Sequence, residues 1–232
     1  MRLKINNLHN FDLTLAKAKE LQLSLVDKLS IGNGPEIAGI SLVAGCDVAF
    51  DKKENLALGA VVLLSYPKLE KIDVLTGSAP LRFPYIPGYL SFREIEVLLP
   101  LFRRLSSVPD VVFVDGQGIA HPRGIGFASH IGLFLGIPTV GCAKSRLVGK
   151  HDGVGTEKGN WKPLLFMGKS VGSVLRTKSN VKPMFISPGH LVGIDRAREL
   201  ALACTGKYRI PEPTRQADIE VAKYKKVRQD GD

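Results

Sequence analysis

"AGISLVAGCDVAF" (residues 38–50) is an apolar, partly β-branched run with a single carboxylate, Asp47, set into it. A run of this kind reads as a strand covered on both faces. After a turn at Asp51–Asn55 come two further strand-like stretches, LALGAVVLLSY (56–66) and KIDVLTGSA (71–79), joined by the turn signal Tyr66–Pro67. Connections this short predict an antiparallel meander. SFREIEVLLPLFRRL (91–105) predicts a helix, VVFVDG (111–116) a short central strand, about 126–135 a second helix, and IPTVGCA (137–143) another buried strand. Upstream, FDLTLAKAKELQLSLVDKL (11–29) predicts an amphipathic helix, uninterrupted by Gly or Pro. Downstream, LLFMGKSVGSVLRT (164–177) predicts a hairpin about Gly168–Lys169, and MFIS (184–187) one more strand. Helices are expected at about 188–204, with Ser187 as N-cap and Pro188 behind it, and at 213–228.

Three strands, a helix, a strand, a helix and a strand is the order of the ribonuclease H-like fold, an α/β class with a mixed sheet flanked by helices. No repeat or compositional break divides the chain, so one domain over residues 1–232 is expected. A net charge of +10 and a pI near 9.6 favour an anionic partner, nucleic acid before acidic membrane, with a generally basic soluble enzyme as the alternative. Cys46, Cys142 and Cys204 lie far apart with no C-x-x-C pair, which excludes a cysteine zinc site or a disulfide framework. No stretch has the ~18 apolar residues of a membrane span, and MRLKINNLHN lacks the apolar run of a secretory leader. A cytoplasmic protein is expected.

The chemistry is sought among the acidic residues. Asp47 is costly inside an apolar strand unless it meets a cation, a metal or a proton; a strand-end Asp bonded to backbone amides is the alternative. Asp115 ends VVFVD, where ligand sites of open α/β sheets gather, but Asp before Gly is also a plain turn signal. Glu94 fits a capping box with Ser91, S-x-x-E. Asp218 falls on a predicted helix, whose solvated face is its default place. In the ribonuclease H-like order the first and fourth strands are neighbours, so Asp47 and Asp115 face each other. Converging carboxylates repel unless a divalent cation joins them, and hard oxygen ligands suit Mg²⁺ or Mn²⁺. In DGQGIAHPRGIGFASHIG (115–132), glycines allow close backbone approach to a ligand, and His121, Arg123 and the next helix start could hold a phosphate. Lys144 follows a strand, as a solvated lysine or as a stabiliser of phosphate charge. FPYIPGYLSFRE (83–94) holds Tyr85 and Ile86 between two prolines, either as a rigid apolar tip or as a connector over the core.

Longer motifs carry a resemblance. PYIPGYLSFRE, FVDGQGIAHPRGIGFASHIG and GIPTVGCAKSRL closely resemble the endonuclease V family, as do CDVAF, ISPGH and RIPEPTRQAD, over about residues 40 to 222. The resemblance implies the ribonuclease H-like fold and an endonuclease of DNA repair acting on deoxyinosine or inosine, in DNA or also RNA. It implies hydrolysis of the second phosphodiester bond 3′ to the lesion, leaving 3′-hydroxyl and 5′-phosphate ends, with Mg²⁺ as cofactor and Mn²⁺ as substitute. Carried over by motif, Asp47 and Asp115 are paired metal ligands and Glu94 a third, which displaces its capping role. Lys144 sits near the scissile phosphate. Pro84, Tyr85, Ile86 and Pro87 form a wedge, and Gly88, Leu90 and Gly116 line the base pocket, with His121 among the substrate-binding residues. Many bacterial members have His where this chain has Asp218, so Asp218 is left as a direct ligand, a ligand through water, or a base. A monomer is expected. Two rivals stay open: an actin-like or sugar-kinase ATPase on the same fold, and a binding module with a lapsed site.

Overall fold

The computed structural model describes residues 3–230. Its core is one eight-stranded mixed sheet. The meander consists of β1 (Leu42–Asp51), β2 (Leu56–Ser65) and β3 (Lys71–Pro80). β4 (Val111–Val114) and β5 (Thr139–Ala143) follow, and β6 (Trp161–Phe166), β7 (Lys169–Leu175) and β8 (Met184–His190) close the set. The order across the sheet is β3-β2-β1-β4-β5-β8-β7-β6. β1 pairs antiparallel with β2 and parallel with β4, and β4 runs parallel to β5. The late hairpin adds to the far side of β5 through β8, which is antiparallel to it.

Alternation along the strands sorts the core into two layers. Val43, Val62, Leu64, Val111 and Phe113 face one way, onto α4 (Ile194–Ala203) and α5 (Glu212–Asp230) through Ala197, Leu200 and Ala217. Ala44, Cys46, Val61, Leu63, Val112 and Val114 face the other way, onto α2 (Leu90–Arg104) and α3 (Phe127–Leu135) through Ile95, Phe102, Ile131 and Phe134. Each fully buried Leu, Ile or Phe stabilises this arrangement by roughly 1.5–3 kcal/mol. At Gly45 on β1 the backbone of Pro213, in the first turn of α5, takes the space a Cβ would fill. The three cysteines are buried and unpaired. No helix among the described residues is long and apolar enough to cross a membrane.

α1 (Leu15–Val26) precedes the meander, capped by the Thr14 hydroxyl, which accepts from the Lys17 amide at 3.3 Å. The segment before it is tied to the last turn of α3: the Asn6 amide donates to the Phe134 carbonyl at 2.7 Å, and its side chain to Leu133 at 2.8 Å.

Two expected helix starts are displaced. Residues 187–190 are strand, not helix, and α4 begins only after Gly193. β7 pairs with β8 only as far as Ile186, so Pro188 needs no ladder donor on that side. Its carbonyl accepts from the Ile119 amide at 2.8 Å, and the Ser187 hydroxyl accepts from Gly118 N at 2.7 Å. The Ser91–Glu94 capping box is likewise absent. α2 starts one residue earlier with Tyr89 in the cap position, and the Ser91 hydroxyl pairs with His130 Nδ1 at 2.9 Å.

Candidate active site

The parallel register sets Cys46 beside Val114. One residue further on, Asp115 at the end of β4 therefore stands beside Asp47 in the middle of β1, on the face that carries α5. Both are half-buried, and Glu94, on the second turn of α2, is almost wholly buried at 7% exposed. Burial first, then the Asp115 charge, pushes the Asp47 carboxyl up to about 7, with Asp218 adding and Lys144 and the Val48 amide opposing. Burial raises Glu94 as well, and the charges of Asp47 and Asp115 raise it further, against Arg93. The Lys144 ammonium pairs with Asp115. Burial pulls Lys144 down, but its hydrogen bond to Asp115 and the charges of Asp115, Asp218 and Asp47 outweigh that, so it is held cationic. Asp218 is exposed on α5, yet its field reaches both Asp47 and Lys144.

This donor set fits a hard divalent cation in kind: several carboxylates share one field and Lys144 is the partner cation on Asp115. Among the described residues no three or more His, Cys, Asp and Glu stand close enough together to enclose an ion. The carboxylates converge electrostatically without closing a cage.

Beside this acidic end lies a cavity of about 380 Å³. Tyr85, Ile86, Pro87, Gly88 and Leu90 form one wall, Gly116 and His121 another, and Asp115 and Lys144 join it to the acidic end. Of the expected site residues, Asp47, Glu94 and Asp218 lie outside this cavity, and Pro84 lines a separate depression with Arg82 and Arg93. Tyr85 stands out at 70% exposed. Ile86 does not stand out with it: it packs against Phe83, Tyr89 and Phe92, which anchors the loop from below.

His121 and Arg123 do not await a phosphate. His121 is buried, and burial followed by the Arg123 charge lowers it to about 4, so the ring is neutral. Its Nε2 donates to the Gly88 carbonyl at 3.0 Å while Nδ1 accepts from Arg123 N at 3.2 Å, which fixes the tautomer. Arg123 donates to the same Gly88 carbonyl at 2.7 Å and lies 4.1 Å over the Tyr89 ring. Both side chains hold the 83–90 loop at the Gly88 carbonyl.

Sequence reasoning missed Gln22, Gln117, Ser145, Arg146 and Leu147 around the cavity. Gln117 donates to the Ser145 carbonyl at 3.0 Å and braces the Gly-rich loop against the loop after β5. Arg209 was also missed: it donates to the Lys144 carbonyl at 2.9 Å and to Pro183 at 2.8 Å, holding the lysine's backbone.

A ribonuclease H-like sheet with one carboxylate in the middle of β1 and another at the neighbouring end of β4, beside a pocket in a basic protein, defines a nuclease of that fold. Residues 24–219 match the Endonuclease V family model, and the chain belongs to that family. It is 49% identical over 226 residues to Endonuclease V of Gloeobacter violaceus, covering 96% of this chain and 91% of that one. Against Endonuclease V of Rippkaea orientalis the identity is 44% over 205 residues, covering 88% and 89%. Among solved structures, the Endonuclease_V of Bacillus subtilis superposes with a TM-score of 0.94 at 26% identity, covering 99% of this chain and 100% of that one. Endonuclease V of Ciona intestinalis, solved with a 24mer DNA containing an inosine followed by a ribo-adenosine, superposes with a TM-score of 0.82 at 31% identity, covering 92% and 98%. Family membership sets aside the ATPase alternative.

Proposed function

We propose that the chain cuts nucleic acid beside a deaminated purine, hydrolysing the second phosphodiester bond on the 3′ side of inosine or deoxyinosine. The observation that carries this reading is the continuity of the cavity with the acidic end: Asp115 and Lys144 belong to both. A base held in the cavity thereby fixes where the strand meets the carboxylates. The inosine-containing DNA bound by the Ciona relative supports the choice of base.

A base inside a duplex cannot reach such a pocket, so the nucleotide must leave the stack. Tyr85, the exposed tip of a loop stiffened by Pro84 and Pro87, enters the gap and offsets the lost stacking. The backbone of Gly88 and Gly116 and the side chain of Leu90 then meet the base edge at positions fixed by the fold. Asp47, Asp115 and Glu94 would hold Mg²⁺, with Mn²⁺ as substitute. A cation there supplies charge neutralisation at the phosphate and lowers the pKa of water. Lys144 is held cationic where phosphate charge builds up. Asp218, at the exposed edge of the cluster, is placed to orient water. With a net charge of +10, phosphate contacts dominate affinity, and binding weakens steeply with salt.

The test is a labelled strand with one inosine, incubated with Mg²⁺. A nick one nucleotide beyond the lesion, with a 3′-hydroxyl end, is expected. A nick independent of inosine, or undiminished in Asp47→Ala, overturns the proposal. Matched inosine DNA and inosine RNA strands decide the substrate.

A further inference from the structure

Gln22 lies on α1, just before the stretch that matches the family model and ahead of the meander. It is nonetheless 1% exposed and reaches the wall of the cavity. Its Nε2 donates to the Gly88 carbonyl at 3.0 Å and lies 3.4 Å from the Ile125 carbonyl, and its Oε1 accepts from Arg123 Nε at 2.6 Å. One amide thus joins three segments: α1, the wedge loop and the Gly-rich loop. With His121 and Arg123 it brings three side-chain donors onto one carbonyl oxygen. That carbonyl belongs to a residue at φ +81°, a backbone state open chiefly to glycine. α1 can serve as the fixed end because Ala18 packs with Phe83, Tyr89 and Phe92, while Leu25 packs with Ile125 and Leu133.

We propose that Gln22 is a positioning residue for base recognition. It sets the distance between the Tyr85 tip and the pocket wall through the Gly88 carbonyl. The inference rests on the reading that the cavity takes a flipped purine. A wedge free to shift would leave phosphate binding intact and lose the ability to tell inosine from an ordinary base, since misplacement by about 1 Å costs on the order of 100-fold in rate.

Two variants separate positioning from folding. Gln22→Met keeps the packing and removes all three contacts. Gln22→Glu keeps the acceptor for Arg123 and removes both donors. The readouts are the ratio of single-turnover cleavage on inosine-containing and undamaged strands, affinity for the undamaged strand, and amide exchange of residues 84–89, all well below the melting temperature. A ratio reduced about 10-fold to 100-fold in both variants, unchanged undamaged-strand affinity and faster exchange are expected. A parent that discriminates alongside variants that discriminate equally well, or a ratio that falls only in step with the folded fraction, overturns this inference alone. A parent with no preference for inosine overturns the reading of the pocket, and this inference with it.

Discussion

The acidic end, where β4 stops beside the middle of β1, and the wall of the cavity share Asp115 and Lys144, yet are built on opposite principles. At the acidic end Asp47, Glu94 and Asp115 are brought together against their mutual repulsion. Burial and neighbouring charge raise Asp47 and Glu94, and Lys144 is the cation paired there. In the wall, by contrast, Gln22 and His121 spend their donors within the protein, Arg123 behind them gives its Nε to Gln22 and its Nη2 to Gly88, and none of their side-chain atoms is left buried and unpaired. The first region carries an electrostatic cost, and the second is largely matched within the protein. Under the proposed function, a reacting centre needs charge that something else must balance, whereas a gauge for a base needs parts that do not move.

The comparison can be broken at the acidic end with the largest effect. Asp47→Asn should lower nicking by about 100- to 1,000-fold. It should also make the divalent-free protein more stable at pH 8. Asp47 titrates near 7 when folded against 3.8 when unfolded, so its cost is absent below about 4 and fully present above about 7. The gain reads as several degrees in Tm, at ~2–4 °C per kcal/mol for a chain of this size. A variant as active as the parent, or less stable at pH 8, contradicts the contrast. Tyr85→Ala should come next, lowering preference for inosine strands about 10-fold while barely changing affinity for undamaged ones, since stacking is worth ~1–3 kcal/mol per base. Equal losses on both strands would make the loop a plain connector.

In the wall the effects concern stability rather than activity. Gly88→Ala forces a side chain into φ +81°, with its Cβ 2.9 Å from Arg123 Nη2, at a cost of about 1–2 kcal/mol measurable by urea unfolding. The wall also gives a pH slope of opposite sign to that of Asp47. His121 titrates near 4 folded against 6.5 unfolded, so its contribution is whole above 6.5 and is lost as pH falls towards 4. Unfolding curves of His121→Asn should be flatter than the parent's over that window.

What the sequence disclosed divides along the same line. Asp47 and Asp115 were legible because each interrupts or ends a buried apolar run, and parallel neighbours at one register bring them together. The wall was not legible, because its partners are remote: His121 and Gly88 are 33 residues apart, Arg123 and Gln22 101. Without those partners, two basic side chains in a glycine-rich loop read as phosphate ligands. Ser187–Pro188 and Ser91–Glu94 carry real helix-start signals, but the pairing of β5 with β8 and the Ser91–His130 hydrogen bond claim those residues first. Local signals lose where tertiary contacts compete for the same groups. Gln22 on an amphipathic helix gave no sign of burial at all.

The missing side chain at Gly45 has a consequence for how this site can change. With the Pro213 backbone seated in that gap, α5 is set against β1 by a mechanical stop five residues before Asp218. Position 218 is therefore held at a constant reach from Asp47, whichever side chain it carries. An exchange of Asp218 for His alters charge and donor type while leaving the scaffold untouched. Under the proposed role of Asp218, the site can be retuned at one position without moving the scaffold around it.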